Sequence, residues 1–287
     1  MNVFFFGLGY SAQASAVAIK AMDPGVAIGG TVRGAEKLVG LRAQGLAAQV
    51  FDGSVDPALV SDVQRASHVV VSIAPDADGD AVLNHFAGTL AASASLEWLC
   101  YYSTVGVYGN FDGHWIDESA VCAPINQRSQ QRVVAEQAWR DFAAANKVPL
   151  MIMRLAGIYG PGRSSFDKLL AGTAKRIVKP GQVFNRIHVA DIGRVTALAA
   201  KQKLAGTFNL ADDEPAPPQD VVTYAAEMAG MAPPRETDFA TADMTPMARS
   251  FYADNKKVSN RAIKQALGIE LLYPSYREGL RAIHDAR

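Results

Sequence analysis

The stretch Met1-Asn2-Val3-Phe4-Phe5-Phe6-Gly7-Leu8-Gly9-Tyr10-Ser11-Ala12 sets the fold class of this chain. Residues 3–6 form a short, wholly apolar run of strand length, and residues 11–22 carry helical spacing. The turn between them fits G-x-G-x-x-G/A and stands where that pattern has meaning, after an apolar strand and before a helix. Gly7 permits the tight turn, and Gly9 lets the backbone approach a pyrophosphate. Ala12 keeps the helix close to the sheet. Tyr10 and Ser11 sit at the helix start, whose N–H groups face the phosphates. The plain alternative is a Gly-rich β-to-α turn without a ligand.

Further along, a chain that binds NAD usually places Asp or Glu about 20 residues on, at the end of the second strand, to accept from the ribose 2′-hydroxyl. Here that strand ends Thr31-Val32-Arg33, with no carboxylate at its tip. Arg33 offers a planar donor fork suited to a 2′-phosphate, so NADP is the expected cofactor and NAD the second choice, with Thr31 assisting. A solvated surface Arg is the competing reading. Asp52-Gly53 follows the third strand, where the carboxylate either accepts from the adenine amino group or makes an ordinary turn. Ala74-Pro75 ends the fourth strand in small residues that let the backbone pass close to the cofactor, or simply terminate the strand.

The same alternation continues. Apolar runs at 3–6, 27–32, 47–51, 68–73, 98–103 and 150–154, with a seventh at 207–210, are separated by helix-spaced stretches at 11–22, 36–43, 57–66, 80–94 and 127–145. Such a chain builds a parallel sheet with crossover helices, a Rossmann-type doubly wound α/β fold. After Tyr159-Gly160-Pro161-Gly162 the alternation breaks, and Pro-rich loops flank helices expected at 219–229 and 258–267. The expected division is a dinucleotide-binding domain over 1–160, with a return segment at about 186–210. A smaller interleaved substrate part then covers 161–185 and 211–287.

Composition narrows the function. The 287 residues are 49% hydrophobic and 20% charged, with 28 basic and 28 acidic side chains giving zero net charge. That balance lacks the footprint of a protein that binds nucleic acid or an anionic membrane through bulk charge. Cys100 and Cys122 are the only cysteines, too few for a disulfide framework, and no His/Cys/carboxylate spacing reads as a metal site. With no basic leader and no apolar run of spanning length, a cytoplasmic protein is expected.

Three further motifs, in the right order, make the chain resemble the extended short-chain dehydrogenase/reductase superfamily of epimerase and dehydratase type. They are Tyr102-Ser103-Thr104-Val105-Gly106-Val107-Tyr108-Gly109, Ile158-Tyr159-Gly160-Pro161-Gly162-Arg163 and Ile187-His188-Val189-Ala190-Asp191. The resemblance implies that Thr104 polarises the substrate, and that Arg163, His188 and Arg249 stand where relatives hold the phosphates or sugar of a nucleotide sugar. His188 reads equally as a cap or packed residue. The superfamily also carries a Tyr-x-x-x-Lys dyad with a Glu four residues after the Lys. Counting back from Glu136, those positions hold Arg128 and Arg132. A guanidinium stays protonated, so Arg128 can orient an anion and Arg132 can bond ribose hydroxyls, but neither cycles a proton near neutral pH. The three residues share one helical face, which also suits a solvated ion-pair surface.

Two functions follow. One is an NADP-binding oxidoreductase or epimerase/dehydratase acting on a small polar substrate, a nucleotide sugar being one candidate. There Tyr108, or a carboxylate of Asp117-Glu118, takes over proton transfer. The other is a catalytically deficient NADP sensor or scaffold that keeps the binding residues and has lost the dyad. The resemblance implies a homodimer through the helices at 80–94 and 127–145, whose apolar residues include Leu83, Phe86, Leu90, Val134, Ala138 and Phe142, although covering the sheet requires the same stripes.

Overall fold

The computed structural model describes every residue from Met1 to Arg287. The chain opens β1 (Asn2–Phe6), α1 (Tyr10–Met22), β2 (Ala27–Val32), α2 (Leu38–Ala43), β3 (Ala47–Val50), α3 (Pro57–Arg65), β4 (His68–Val71), α4 (Ala81–Ala91) and β5 (Trp98–Thr104). It continues β6 (Trp115–Ile116), α5 (Gln127–Asn146), β7 (Leu150–Leu155), β8 (Gly157–Tyr159), α6 (Ser165–Leu170), β9 (Arg176–Val178), β10 (Arg186–His188), α7 (Val189–Gln202) and β11 (Gly206–Leu210). It closes α8 (Pro218–Met228), β12 (Glu236–Asp238), α9 (Pro246–Phe251), β13 (Lys257–Val258), α10 (Arg261–Leu267) and α11 (Tyr276–Asp285).

Seven strands form one sheet in the order β11-β7-β5-β4-β1-β2-β3, and β1 pairs in parallel with β2 and β4. The first strand is therefore interior, which is why it is apolar on both faces. Phe4 and Phe6 join Phe51, Val69, Val71, Phe86, Tyr101 and Trp139 on the side covered by α3, α4 and α5. Each such fully buried side chain contributes roughly 1.5–3 kcal/mol of transfer free energy. Strand alternation sends Tyr102 the other way, where its hydroxyl bridges Ser15 Oγ of α1 and Thr196 Oγ1 of α7, each at 2.7 Å. Helices α1 and α7 approach closely at Gly193, where a β-carbon would lie 2.6 Å from the Ala14 carbonyl oxygen. Asp80 caps α4 through the Val82 and Leu83 N–H groups, and its other oxygen accepts from the Trp139 indole at 3.1 Å.

Two compact units emerge, one of residues 1–104, 127–154 and 192–208, the other of 105–126, 155–191 and 209–287. The expected division kept 105–126 with the first unit; the packing groups that loop with the second. Within the second unit β8 pairs with β10, β9 with β12, and β6 with β13, all parallel. Its core gathers Tyr159, Phe166, Leu169, Val221, Ala225, Tyr276, Leu280 and Ile283.

Several expected boundaries move. The helix expected over 36–43 is a 3-10 turn, Ala35–Lys37, followed by α2. Val258 belongs to β13, and α10 begins only at Arg261. Of the residues weighed for a dimer face, Phe86 and Leu90 lie in the core, Leu83 and Phe142 pack against it, and Val134 is exposed. No helix is long and apolar enough to cross a membrane.

Candidate functional site

In the first unit the chain turns at the carboxyl end of β1. Gly7 has φ +93°, and a β-carbon there would lie 3.1 Å from Ile73 Cγ1, so the position requires glycine on both counts. The Gly7 N–H donates to Thr31 Oγ1 at 3.0 Å and the Leu8 N–H to the Thr31 carbonyl at 2.7 Å. Thr31 is buried, and its hydroxyl braces the turn, so the part expected of it beside the cofactor passes to turn geometry. Gly9 is different. Its backbone is extended, and a β-carbon there would meet nothing within 4 Å. Gly9 is the N-cap of α1, no side chain caps that end, and the first turn contains no acidic residue. A 13-residue helix with an uncapped positive end facing open space is chemically fit for a diphosphate. Tyr10, Ser11 and Ala12 form that first turn, with Ser11 and Ala12 buried against the sheet.

The adjacent strand ends supply the next contacts. Arg33, immediately after β2, is exposed, and the Phe51 N–H donates to the Val32 carbonyl at 2.8 Å, bringing the tip of β3 alongside. Asp52 stands exposed at that tip. The Ser54 backbone and hydroxyl hold its carboxyl below the usual range, so it is ionised at neutral pH. Gly53, with φ +111°, completes the turn. Gly turn, Arg33 and Asp52 thus occupy consecutive strand ends about 4.8 Å apart. After β4, Ala74 is exposed while Pro75 is buried, so only Ala74 offers a surface to a ligand.

The end of β5 holds the residues at the expected chemical centre. Thr104 is half-buried and Ser103 is buried, its hydroxyl donating to Glu136 Oε1 at 2.6 Å. Arg154 clasps Glu136 through Nε at 3.1 Å and its terminal nitrogen at 2.7 Å, and Arg140 adds a contact at 2.9 Å. Burial alone would raise the Glu136 pKa; the hydrogen bonds and charge of Arg154, with Ser103 and Arg140, bring it below the usual range. Arg132 donates to the Tyr102 carbonyl and to the Tyr101 hydroxyl, and lies 5.5 Å from the Tyr101 ring centroid. Arg128, one turn earlier, is exposed. The shared helical face therefore resolves into three environments, and Glu136 is an internal ion hub, not part of a solvated surface.

In the second unit several expected site residues have other partners. Tyr108 is fully buried and donates to Asn209 Oδ1 at 2.7 Å, which removes it as a ready proton donor. Glu118 accepts from the Asn209 N–H at 2.7 Å, and Asp117 is exposed and held below the usual range by the Ser119 hydroxyl and N–H. The Tyr159 hydroxyl donates to the Ser275 carbonyl at 3.3 Å, and burial raises its pKa. His188 is buried between the rings of Tyr159 and Tyr273, with centroids at 5.1 and 4.1 Å. Its Nδ1 accepts from the Ala190 N–H, its Nε2 has no hydrogen-bond partner, and burial holds its pKa down to about 4. His188 is thus a neutral packed residue that caps α7. Arg249 spends its guanidinium on the carbonyls of Phe239 and Ala242 and stacks 4.8 Å from the Phe239 ring, whereas Arg163 is exposed after its glycine turn. No group of three or more His, Cys, Asp or Glu side chains is arranged to hold a metal ion.

Comparison with known proteins gives the context. The model of the NAD dependent epimerase/dehydratase family matches residues 50–211, more than half of the chain. A conserved protein of unknown function from Silicibacter pomeroyi is 43% identical, with 99% of this chain and 98% of that one covered and a TM-score of 0.89. The dTDP-glucose 4,6-dehydratase of Bacillus anthracis, solved in complex with NAD, shares the fold at 14% identity and TM-score 0.80, covering 99% of this chain and 96% of that one. The UDP-glucuronic acid 4-epimerase of Bacillus cereus, also with NAD, does so at 15% identity and TM-score 0.76, over 99% and 98%. No curated protein matches the sequence.

Proposed function

The chain belongs to the NAD dependent epimerase/dehydratase family, and on that footing we propose that it is an NADP-dependent oxidoreductase or epimerase/dehydratase acting on a small polar substrate, with nucleotide sugars the first class to try. The observation that carries this reading is the uncapped start of α1 behind the open space at Gly9, with Arg33 one strand over. Gly9 and the first turn of α1 would hold the diphosphate, Arg33 the 2′-phosphate, and Asp52 the adenine amino group. When bound, the nicotinamide supplies the hydride donor or acceptor. Thr104 orients a substrate oxygen by hydrogen bonding. Arg132, fixed by the Tyr102 carbonyl, replaces the usual lysine as a permanently charged partner for ribose hydroxyls. Arg163, exposed after its turn, is the candidate for substrate phosphate.

The test is a titration of the purified protein with NADPH and NADH. The expectation is NADPH binding at least about tenfold tighter, with Arg33→Gln erasing the preference while leaving NADH affinity unchanged. Equal affinities in the wild type would remove Arg33 from the argument. Failure of both nucleotides to shift the melting temperature would remove the site itself.

A second reading rests on Arg128 and Arg132 at the dyad positions and on the buried Tyr108. It makes the protein an NADP sensor that acts through a partner. Substrate-dependent NADPH consumption over a panel of nucleotide sugars and small carbonyl compounds would count against it.

A further inference from the structure

Beyond the tip of β2 the chain continues Arg33-Gly34-Ala35-Glu36-Lys37, with Gly34 the N-cap of the 3-10 turn Ala35–Lys37. The Glu36 side chain folds back over Gly34: a β-carbon there would lie 2.7 Å from its Cδ and Oε1, and closer still to Oε2. Gly34 has an extended backbone, φ −121° and ψ 147°, which any residue adopts, so the space left free at this glycine serves the carboxylate and not the path of the chain. Nothing else holds Glu36. Its carboxylate is exposed and makes no ion pair or hydrogen bond, and the exposed Arg33 and Lys37 are equally unpaired. The strand tip that lacks a carboxylate in the sequence thus receives one from three residues downstream of Arg33.

An ionised carboxylate is an acceptor only. Beside an adenosine ribose it accepts from a free 2′-hydroxyl and repels the charge of a 2′-phosphate, whereas a guanidinium attracts that phosphate. Resting on the nucleotide-binding reading above, we propose that Glu36 is a second selectivity residue at the adenosine end, favouring NAD and opposing NADP. The balance between Glu36 and Arg33 then sets a preference narrower than Arg33 alone would give, and keeps NAD usable. An Arg33 locked to Glu36 would spend both charges on each other; held apart, each is available to a nucleotide. The competing reading, a solvated glutamate without a role, requires the same nucleotide ratio with and without its charge.

Calorimetric titration of the full-length protein with NADPH and with NADH gives the ratio of the two Kd values, read at low ionic strength, where exposed charges are least screened. Glu36→Gln removes the charge, keeps the size and lies at an exposed position that leaves the fold intact. NADPH should then bind about threefold tighter and NADH about threefold weaker, widening the ratio by about tenfold. Asp141→Asn, which removes the same formal charge from an exposed position on α5, should leave the ratio as it is. An unchanged ratio in Glu36→Gln, or the same widening in Asp141→Asn, overturns the proposal while leaving the nucleotide site standing. Failure of both nucleotides to bind the wild type removes the site and the proposal together.

Discussion

At Gly9 the space a β-carbon would take is open, whereas at Gly7 it would crowd Ile73 Cγ1 at 3.1 Å and the backbone has φ +93°. The two glycines of one motif therefore do different work, and alanine at each separates them. Gly7→Ala forces an L-residue into a disfavoured conformation against a packed neighbour and is expected to cost about 1–2 kcal/mol, read as a lower denaturant midpoint with or without nucleotide. Gly9→Ala should leave the unliganded midpoint where it is and weaken NADPH by about tenfold or more, because the methyl group enters the space assigned to the diphosphate. A Gly9→Ala protein that bound NADPH normally would show that the open space has another use. The place of Gly7 was legible because backbone geometry alone explains it. Thr31 and Tyr108 were misjudged because a hydroxyl beside a turn can serve the ligand or the chain, and the choice depends on neighbours far away in sequence, Gly7 in one case and Asn209 in the other.

Helix α5 owes its place on the sheet to one apolar stripe and one buried charge. Ala135, Trp139 and Ala143 pack into the core, and Glu136 collects Ser103, Arg154 and Arg140. Arg154 is itself buried, so Glu136→Ala takes the carboxylate away from a buried guanidinium and should cost about 3–5 kcal/mol in urea unfolding. Arg140 is partly exposed and pairs with Glu136 at i,i+4, so Arg140→Ala should cost less than about 1 kcal/mol. Similar losses from the two variants would mean that Arg154 finds another partner. The pH dependence follows from the depressed Glu136 pKa: its contribution is complete above the unfolded value near 4.5 and is lost as pH falls through the lower folded value. Glu136 was visible as a spacing, but its burial was not, since i,i+4 charges look alike on a wet face and inside a protein. Elements followed the same pattern. The long β/α alternation of the first unit was legible because most of its strands are apolar runs and most of its helices span several turns. The second unit's strands have two or three residues and show no period. Helix α11 left a signal that went unread: Ser275 and Glu278 form a capping pair, followed by Leu280 and Ile283 on the face of Tyr276.

Across the whole molecule, buried titratable groups pull in opposite directions as pH changes, and the balance can be worked out. Burial holds His188 at about 4, against 6.5 when unfolded, and lowers His68 as well. Between about 4 and 6.5 the unfolded chain therefore binds the extra proton, and stability rises with pH. Asp212 behaves oppositely. Burial raises it from 3.8 to about 8, with Arg186 pulling it down and Asp213 and Glu214 pushing it further up. Between those values the folded protein keeps a proton that the unfolded chain has released, so stability falls as pH rises. Below about 6.5 the two slopes offset each other. From 6.5 to 8 the histidine slopes have ended and the Asp212 slope persists, at most about 1.4 kcal/mol per pH unit for that group. For a chain of this size that corresponds to a few degrees of Tm across the interval. The wild type should therefore melt lower at pH 8 than at pH 6.5, and Asp212→Asn, which keeps the shape and removes the ionisation, should be flat there. The variant should instead lose stability on going from pH 6.5 to 5, where the histidine slope is no longer compensated. A wild-type Tm that did not fall between pH 6.5 and 8 would show that Asp212 is already ionised in the folded protein, with Arg186 outweighing burial.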